Sequence, residues 1–358
     1  MARLDSFLRL VVDQQASDLH FHSGNVPIIR HDGDLVPLPF RPLSDLECRR
    51  FVLEIMTPAQ KATFERDQEM DLVYVMPGVG RFRTNIFTQA HGIGAVFRVI
   101  PLRIPSFDDL RLPPVIKKLA DSANGLVLVT GPTGSGKTTT LAAVVDYINR
   151  NSNRHLITIE DPIEFLHDQY QCVLTQRQVG VHVESFSSAL RSALRESPDV
   201  VVVGELRDLE TINLALSAAE TGVLVFGTLH SNSAAKAVDR IVDAFPEEQQ
   251  DQTRSALSVL LKGVVAQQLC KRATGDGRVA ALEVLLQTYA VSHMIREGKV
   301  HQIEGYLQSV ENDGSGMQSL DTGLFKFVRE GVVSLEDALK VANVPENIRR
   351  LASELPEE

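Results

Sequence analysis

The chain has 358 residues, 44% of them hydrophobic and 23% charged, and a formal net charge of −10. That length exceeds one ordinary hydrophobic core and predicts two domains. The composition is globular, and the acidic balance speaks against a dedicated nucleic-acid binder. Three scattered cysteines, Cys48, Cys172 and Cys270, exclude a disulfide framework and a CxxC zinc module. The opening MARLDSFLRLVV contains Asp5 and no long apolar core, so it does not read as a signal peptide. No apolar run approaches the roughly 20 residues of a membrane-spanning helix, and a cytosolic protein without direct membrane insertion is expected.

Leu4, Phe7, Leu8, Val11 and Val12 follow helical spacing and predict an opening amphipathic helix. Strands over 18–22 and 28–30 flank a turn at Gly24 and Pro27, and 31–34 makes another turn. Residues 43–65 predict one or two helices interrupted at Pro58, and 71–75, 80–87 and 94–100 predict further strands. Together, 1–100 reads as a small α+β domain. Pro101, Pro105, Pro113 and Pro114 then mark 101–115 as a linker. From Gly125 the pattern changes. Apolar runs at 156–159, 200–203 and 223–226 alternate with predicted helices at 185–196, 208–220 and 247–269. The 116–358 domain is therefore expected to be α/β, a doubly wound parallel sheet that binds ligands at the carboxyl ends of its strands. From about residue 286 the chain is expected to be helical to its end, with a loop at 313–316 and a helix start at Ser334.

The most informative stretch is GLVLVTGPTGSGKTTT at 125–140. Gly131, Pro132, Thr133, Gly134, Ser135, Gly136, Lys137 and Thr138 satisfy G-x-x-x-x-G-K-[ST] in full, between an apolar strand and a helix predicted from Thr139. Backbone N–H groups of such a loop wrap the phosphates of ATP, and the following helix adds its dipole. Lys137 can reach the β- and γ-phosphates, and Thr138 can offer its hydroxyl to Mg²⁺.

Two acidic clusters fall where strands should end. Val203-Gly204-Glu205 follows four valines and is the better metal-side carboxylate, with Glu205 reaching Mg²⁺ through water. Glu164, past Pro162 on a loop, is the candidate base that activates water. Glu160 and Asp161 either brace that loop or touch ribose. His230 closes Gly227-Thr228-Leu229-His230 and is a candidate γ-phosphate sensor, with an ordinary surface histidine as the competing reading. Arg81 and Arg83, two apart on one strand, share a face, and Arg98 falls on a nearby strand. They are candidate fingers for phosphate charge, against a plain solvated strand face.

Four motifs in order, GPTGSGKTTT, ITIEDPIEFLH (157–167), ALRESPDVVVVGELRDLET (193–211) and GTLHSNSA (227–234), resemble the Walker A, Asp, Walker B and His boxes of the secretion ATPase superfamily. ASDLHFHSG (16–24) and GRFRTNIF (80–87) resemble its PAS-like N-terminal domain. Within the superfamily the chain is most similar to the PilT-type retraction ATPases of type IV pili. Ala290, Ile295, Arg296 and Glu297 agree with their AIRNLIRE motif; Val291, Ser292, His293 and Met294 depart from it. The resemblance implies a RecA-like P-loop ATPase domain behind a PAS-like one. It also implies a cytosolic homohexamer at the cytoplasmic face of the inner membrane, docked on a platform protein and partnered by a paralogous ATPase. Each nucleotide would sit between the two domains with the three arginines closing over it, and hydrolysis would drive pilus retraction and twitching motility. The competing assignments are an extension or type II secretion ATPase, opposed by the absent zinc cysteines, and a PilU-like accessory subunit. A non-catalytic regulator is opposed by the intact motif residues, and a nucleic-acid translocase by the acidic charge.

Overall fold

The computed structural model describes residues 3–31, 33–100, 103–310 and 313–353. Asp32 of the expected 31–34 turn and Pro101 of the expected linker lie outside them. The chain forms two units, one reaching to Arg103 and including Glu164–Leu166, the other Ile104–Ile163 and the residues from His167 onward.

The first unit contains α1 (Asp5–Asp13), β1 (Asp18–His22), β2 (Ile28–His31), β3 (Asp34–Pro37), α2 (Asp45–Glu54), α3 (Pro58–Asp67), β4 (Glu69–Met76), β5 (Gly80–Gln89) and β6 (Gly92–Ile100). Its antiparallel sheet runs β3-β2-β1-β6-β5-β4. Pro58 starts a helix rather than breaking one. It takes the first position of α3 behind a Thr57–Gln60 capping box, while α2 has its own box from Ser44 and Glu47. Strict alternation along β5 buries Phe82, Thr84 and Ile86 and leaves Arg81, Arg83 and Asn85 on the opposite face. The buried side joins Phe21, Phe64 and Phe97 in this unit's core. β3 was not foreseen. All four of its residues are exposed, so no apolar alternation announces it, and it pairs antiparallel with β2 from His31 opposite Asp34 onward.

The second unit contains α4 (Val115–Ala120), β7 (Gly125–Thr130), α5 (Lys137–Asn151), β8 (His155–Glu160), β9 (Val173–Gln178), α6 (Phe186–Ala193), β10 (Val200–Val203), α7 (Leu209–Glu220), β11 (Leu224–Leu229), α8 (Ala234–Asp243), α9 (Glu247–Leu260), β12 (Leu261–Lys271) and β13 (Arg278–Leu286). It ends in α10 (Tyr289–Arg296), α11 (Ile303–Val310), α12 (Leu320–Arg329), α13 (Leu335–Val341) and α14 (Pro345–Ser353). The sheet order is β13-β12-β7-β11-β10-β8-β9, parallel except for β13. Phe107 and Leu112, from the expected linker, are buried in this unit's core.

The expected helix over 247–269 is corrected. α9 stops at Leu260, and Leu261–Lys271 is a strand beside β7. A short apolar run such as Leu261, Val264, Val265 and Ala266 suits a buried strand as well as a helical stripe, so tertiary pairing decides. Gly263 allows the close fit, since a Cβ there would stand 2.8 Å from both Leu285 O and a methyl of Leu119. Two further strands, β9 and β13, carried no strand expectation and close the two ends of the sheet.

Candidate nucleotide-binding site

All six residues of β7 are buried, and the strand lies between β12 and β11, so the 131–136 loop leaves from inside the sheet. Gly136 caps α5 with φ 87°, a left-handed conformation that a side chain would strain. α5 begins at Lys137, earlier than expected, which places Lys137, Thr138 and Thr139 in its first turn. Lys137 Nζ donates to Gly131 O at 2.8 Å and Pro132 O at 3.1 Å. Burial pushes the Lys137 pKa down, and the charge of Glu205 pulls it part of the way back. Ser135 Oγ is buried without a hydrogen-bond partner. An orphaned hydroxyl and a desolvated cation in a glycine-bearing loop at a helix N-terminus fit a phosphate group.

The carboxylate cluster forms where β10 and β11 end side by side. Gly204 N donates to Ile159 O at 2.8 Å, Thr228 Oγ1 donates to Gly204 O, and Leu206 N donates to Thr228 O at 2.9 Å. This lacing turns Glu205 inward, leaving its side chain 17% exposed. Its Oε1 lies 3.1 Å from His230 Nε2 and its Oε2 2.7 Å from Arg207 Nε. The next residue, Ser231, donates its N–H to Thr130 Oγ1 at 3.0 Å and so ties the His230 loop to the end of β7. Lys137, Glu205 and His230 are thus brought together within the second unit. Glu160 Oε1 accepts from Thr158 Oγ1 at 2.6 Å and from Gln176 Nε2 at 3.2 Å, which ties it to its own strand and to β9. Among the described residues no group of three or more His, Cys, Asp or Glu side chains could hold a metal ion by itself. A Mg²⁺ ion here would lean on phosphate oxygens and water.

The remaining candidates belong to the first unit. Arg83 and Arg98 are register partners on β5 and β6, and Arg81 shares their face. Arg98 Nε donates to Asp18 Oδ1 at 2.8 Å while its side chain stays 66% exposed. Arg81 Nη1 donates to the backbone oxygen of Glu164 at 3.1 Å, and Glu164–Leu166 packs with this unit. His20 and His22 share the face, and burial lowers both their pKa values. One residue with no motif signal also reaches the site. Gln267 of β12 is buried beneath the phosphate loop, and a Cβ on Gly136 would stand 2.8 Å from its Nε2. A glutamine inside a run read as helix gave no hint of this.

The parallel sheet and its loop set the second unit among the P-loop ATPases of RecA-like type. The family described as type II/IV secretion system protein matches residues 2–340. The type IV pilus retraction ATPase PilT of Pseudomonas aeruginosa is 48% identical over 96% of this chain and 99% of its own length. The type IV pilus ATPase PilU of the same organism is 40% identical over 96% and 90%. A crystal structure of the pilus retraction motor PilT with bound ADP superimposes with a TM-score of 0.88 at 41% identity, covering 98% of this chain and 99% of that one. The chain belongs to the type II/IV secretion system protein family, in its PilT-type retraction ATPase branch.

Proposed function

We propose that the chain hydrolyses ATP to drive the removal of pilin from type IV pili, the work of twitching motility. The observation that carries this reading is Glu205, held against His230 beside Lys137 in a chain so similar to PilT. Residues 131–139 bind the nucleotide, with Lys137 on the β- and γ-phosphates. Mg²⁺, when bound, neutralises developing phosphate charge; Thr138 and, through water, Glu205 are the residues that would hold it. Glu164 serves as the base that takes a proton from the attacking water. His230 reports the γ-phosphate to Glu205. Arg81, Arg83 and Arg98 supply guanidinium groups to the charge that builds on the transferring phosphoryl group.

The working form is a homohexamer at the cytoplasmic face of the inner membrane, acting on a platform protein of the pilus machine. A PAS-like domain over 1–100 and an ATPase domain over 116–358, joined by 101–115, make up each subunit. No helix among the described residues is long and apolar enough to cross a membrane. A PilU-like accessory role is the second reading. It is favoured by Ser292 and His293, which depart from the PilT-type motif and lie partly or fully exposed on α10. ATPase activity measured together with oligomeric mass tests the motor, and a monomer without turnover under every nucleotide condition overturns it. Restoring retraction in cells lacking both paralogues separates the main motor from the accessory subunit, which would restore nothing alone.

A further inference from the structure

Gln267 lies where β12 outruns its partner. The β12–β7 pairing ends with Ala266 opposite Thr130, so on that side Gln267 runs beside the phosphate loop, while on the other side it still pairs with Leu282 of β13. Its side chain is 2% exposed, and both ends of the amide are engaged. Nε2 donates to Ser135 O at 2.6 Å, and Oε1 accepts from Thr140 Oγ1 at 2.7 Å. Only this amide orientation satisfies both partners, because a carbonyl oxygen accepts and an amide nitrogen donates.

The consequence lies on the far side of the peptide. In a planar trans peptide the C=O and N–H point in opposite directions. Drawing Ser135 O toward Gln267 turns the N–H of Gly136 the other way, to the side on which loop N–H groups meet phosphate. Thr140 lies one turn into α5, so the same amide also anchors the loop to the helix whose N-terminus faces the anion. The glycines at both ends of the loop fit around this residue. A Cβ on Gly131 would collide with Gln267 O, and one on Gly136 would crowd Nε2.

We propose that Gln267 is a positioning residue of the nucleotide site, setting the Ser135–Gly136 peptide so that affinity for a nucleoside diphosphate depends on a side chain that does not itself touch the ligand. This rests on reading 131–139 as the nucleotide loop. The test is ADP titration calorimetry on the full chain with two variants. Gln267→Met keeps the volume and removes both hydrogen bonds. Gln267→Glu keeps an acceptor for Thr140 but sets a carboxylate oxygen against Ser135 O, and regains a donor when protonated. Burial raises the pKa of such a carboxyl and brings its titration toward neutral pH. ADP affinity should fall about tenfold or more in Gln267→Met. In Gln267→Glu it should fall at pH 8 and recover, relative to wild type, as pH drops to 6. If wild type binds ADP and folded Gln267→Met binds it equally well, Gln267 only fills space. If Gln267→Met loses its cooperative melt, Gln267→Glu decides, and an affinity ratio to wild type that does not move with pH overturns the proposal. A wild-type chain with no ADP affinity overturns the nucleotide reading, and this inference with it.

Discussion

His230 Nε2 stands 3.1 Å from Glu205 Oε1, across the ends of two neighbouring parallel strands. Arg207 holds the other carboxylate oxygen at 2.7 Å, so both oxygens of Glu205 are oriented by cationic or potentially cationic partners. A carboxylate restrained in this way can order metal-bound water without reorganising during the reaction. Glu205→Ala should lower the turnover rate by about a hundredfold or more while changing ADP affinity only a few-fold, because the group acts mainly in the transition state. Steady-state ATPase assays beside calorimetry check this split. A proportional loss in both would make Glu205 a ground-state contact.

Lys137→Ala should abolish tight binding of ADP and ATP, as well as turnover. The lysine is half-buried, and that burial already weakens the charged form, so phosphate is the partner that would repay its desolvation. A fluorescent nucleotide titration that leaves affinity within twofold of wild type would remove the loop from the nucleotide site.

Glu164→Gln should bind ATP and fail to hydrolyse it, leaving trapped triphosphate after gel filtration. Arg83→Lys keeps the charge and loses the bidentate fork, so it should still depress turnover about tenfold or more with the melting temperature little changed. Arg83 lies opposite Arg98 on the sheet face turned away from the core, and neither side chain belongs to the core cluster. Wild-type turnover in Arg83→Lys would return that face to solvent.

Glu283 of β13 is buried, accepts the N–H of Ala234 at 2.6 Å, and faces the charges of Glu304 and Asp321. Burial pushes its pKa up to about 7, with the Ala234 N–H pulling the other way and the charges of Glu304 and Asp321 adding to the rise. The folded chain therefore holds a proton that the unfolded chain releases near pH 4.3. Stability from this group falls as pH rises through the window between the two values and levels off above about 7, by up to about 4 kcal/mol. Gln carries no such proton, so Glu283→Gln should gain stability relative to wild type as pH rises from 5 to 8. Chemical denaturation at both pH values checks the slope, and a pH-independent difference would mean that Glu283 stays ionised in the folded chain.

Much of the site was legible along the chain because its chemistry is local. The phosphate loop needs its glycines, Lys137 and Thr138 consecutively, so order alone reveals them. Glu205 and His230 each follow an apolar run, and a parallel sheet brings the carboxyl ends of such runs to one edge. Alternation along 80–87 likewise told which side of the strand Arg81 and Arg83 would share, because side-chain direction in a strand follows from sequence position.

Contacts between distant segments were not legible, because nothing local specifies them. Whether 261–271 continued α9 or became a strand depended on the free edge of β7 and on the close approach that Gly263 permits, and helical propensity was overruled by pairing. The exposed β3 had no apolar side to announce it, and only its hydrogen bonds to β2 make it a strand. Gln267 comes to lie against the phosphate loop for the same reason. It lies 132 residues after Ser135, and only the placement of β12 beside β7 brings its amide under the loop. The sequence by itself determined the chemistry available, through a lysine, acids and glycines in consecutive motifs. The tertiary structure decided which buried side chains hold that chemistry in position, since hydrogen-bond geometry across strands depends on register and not on neighbourhood in the chain.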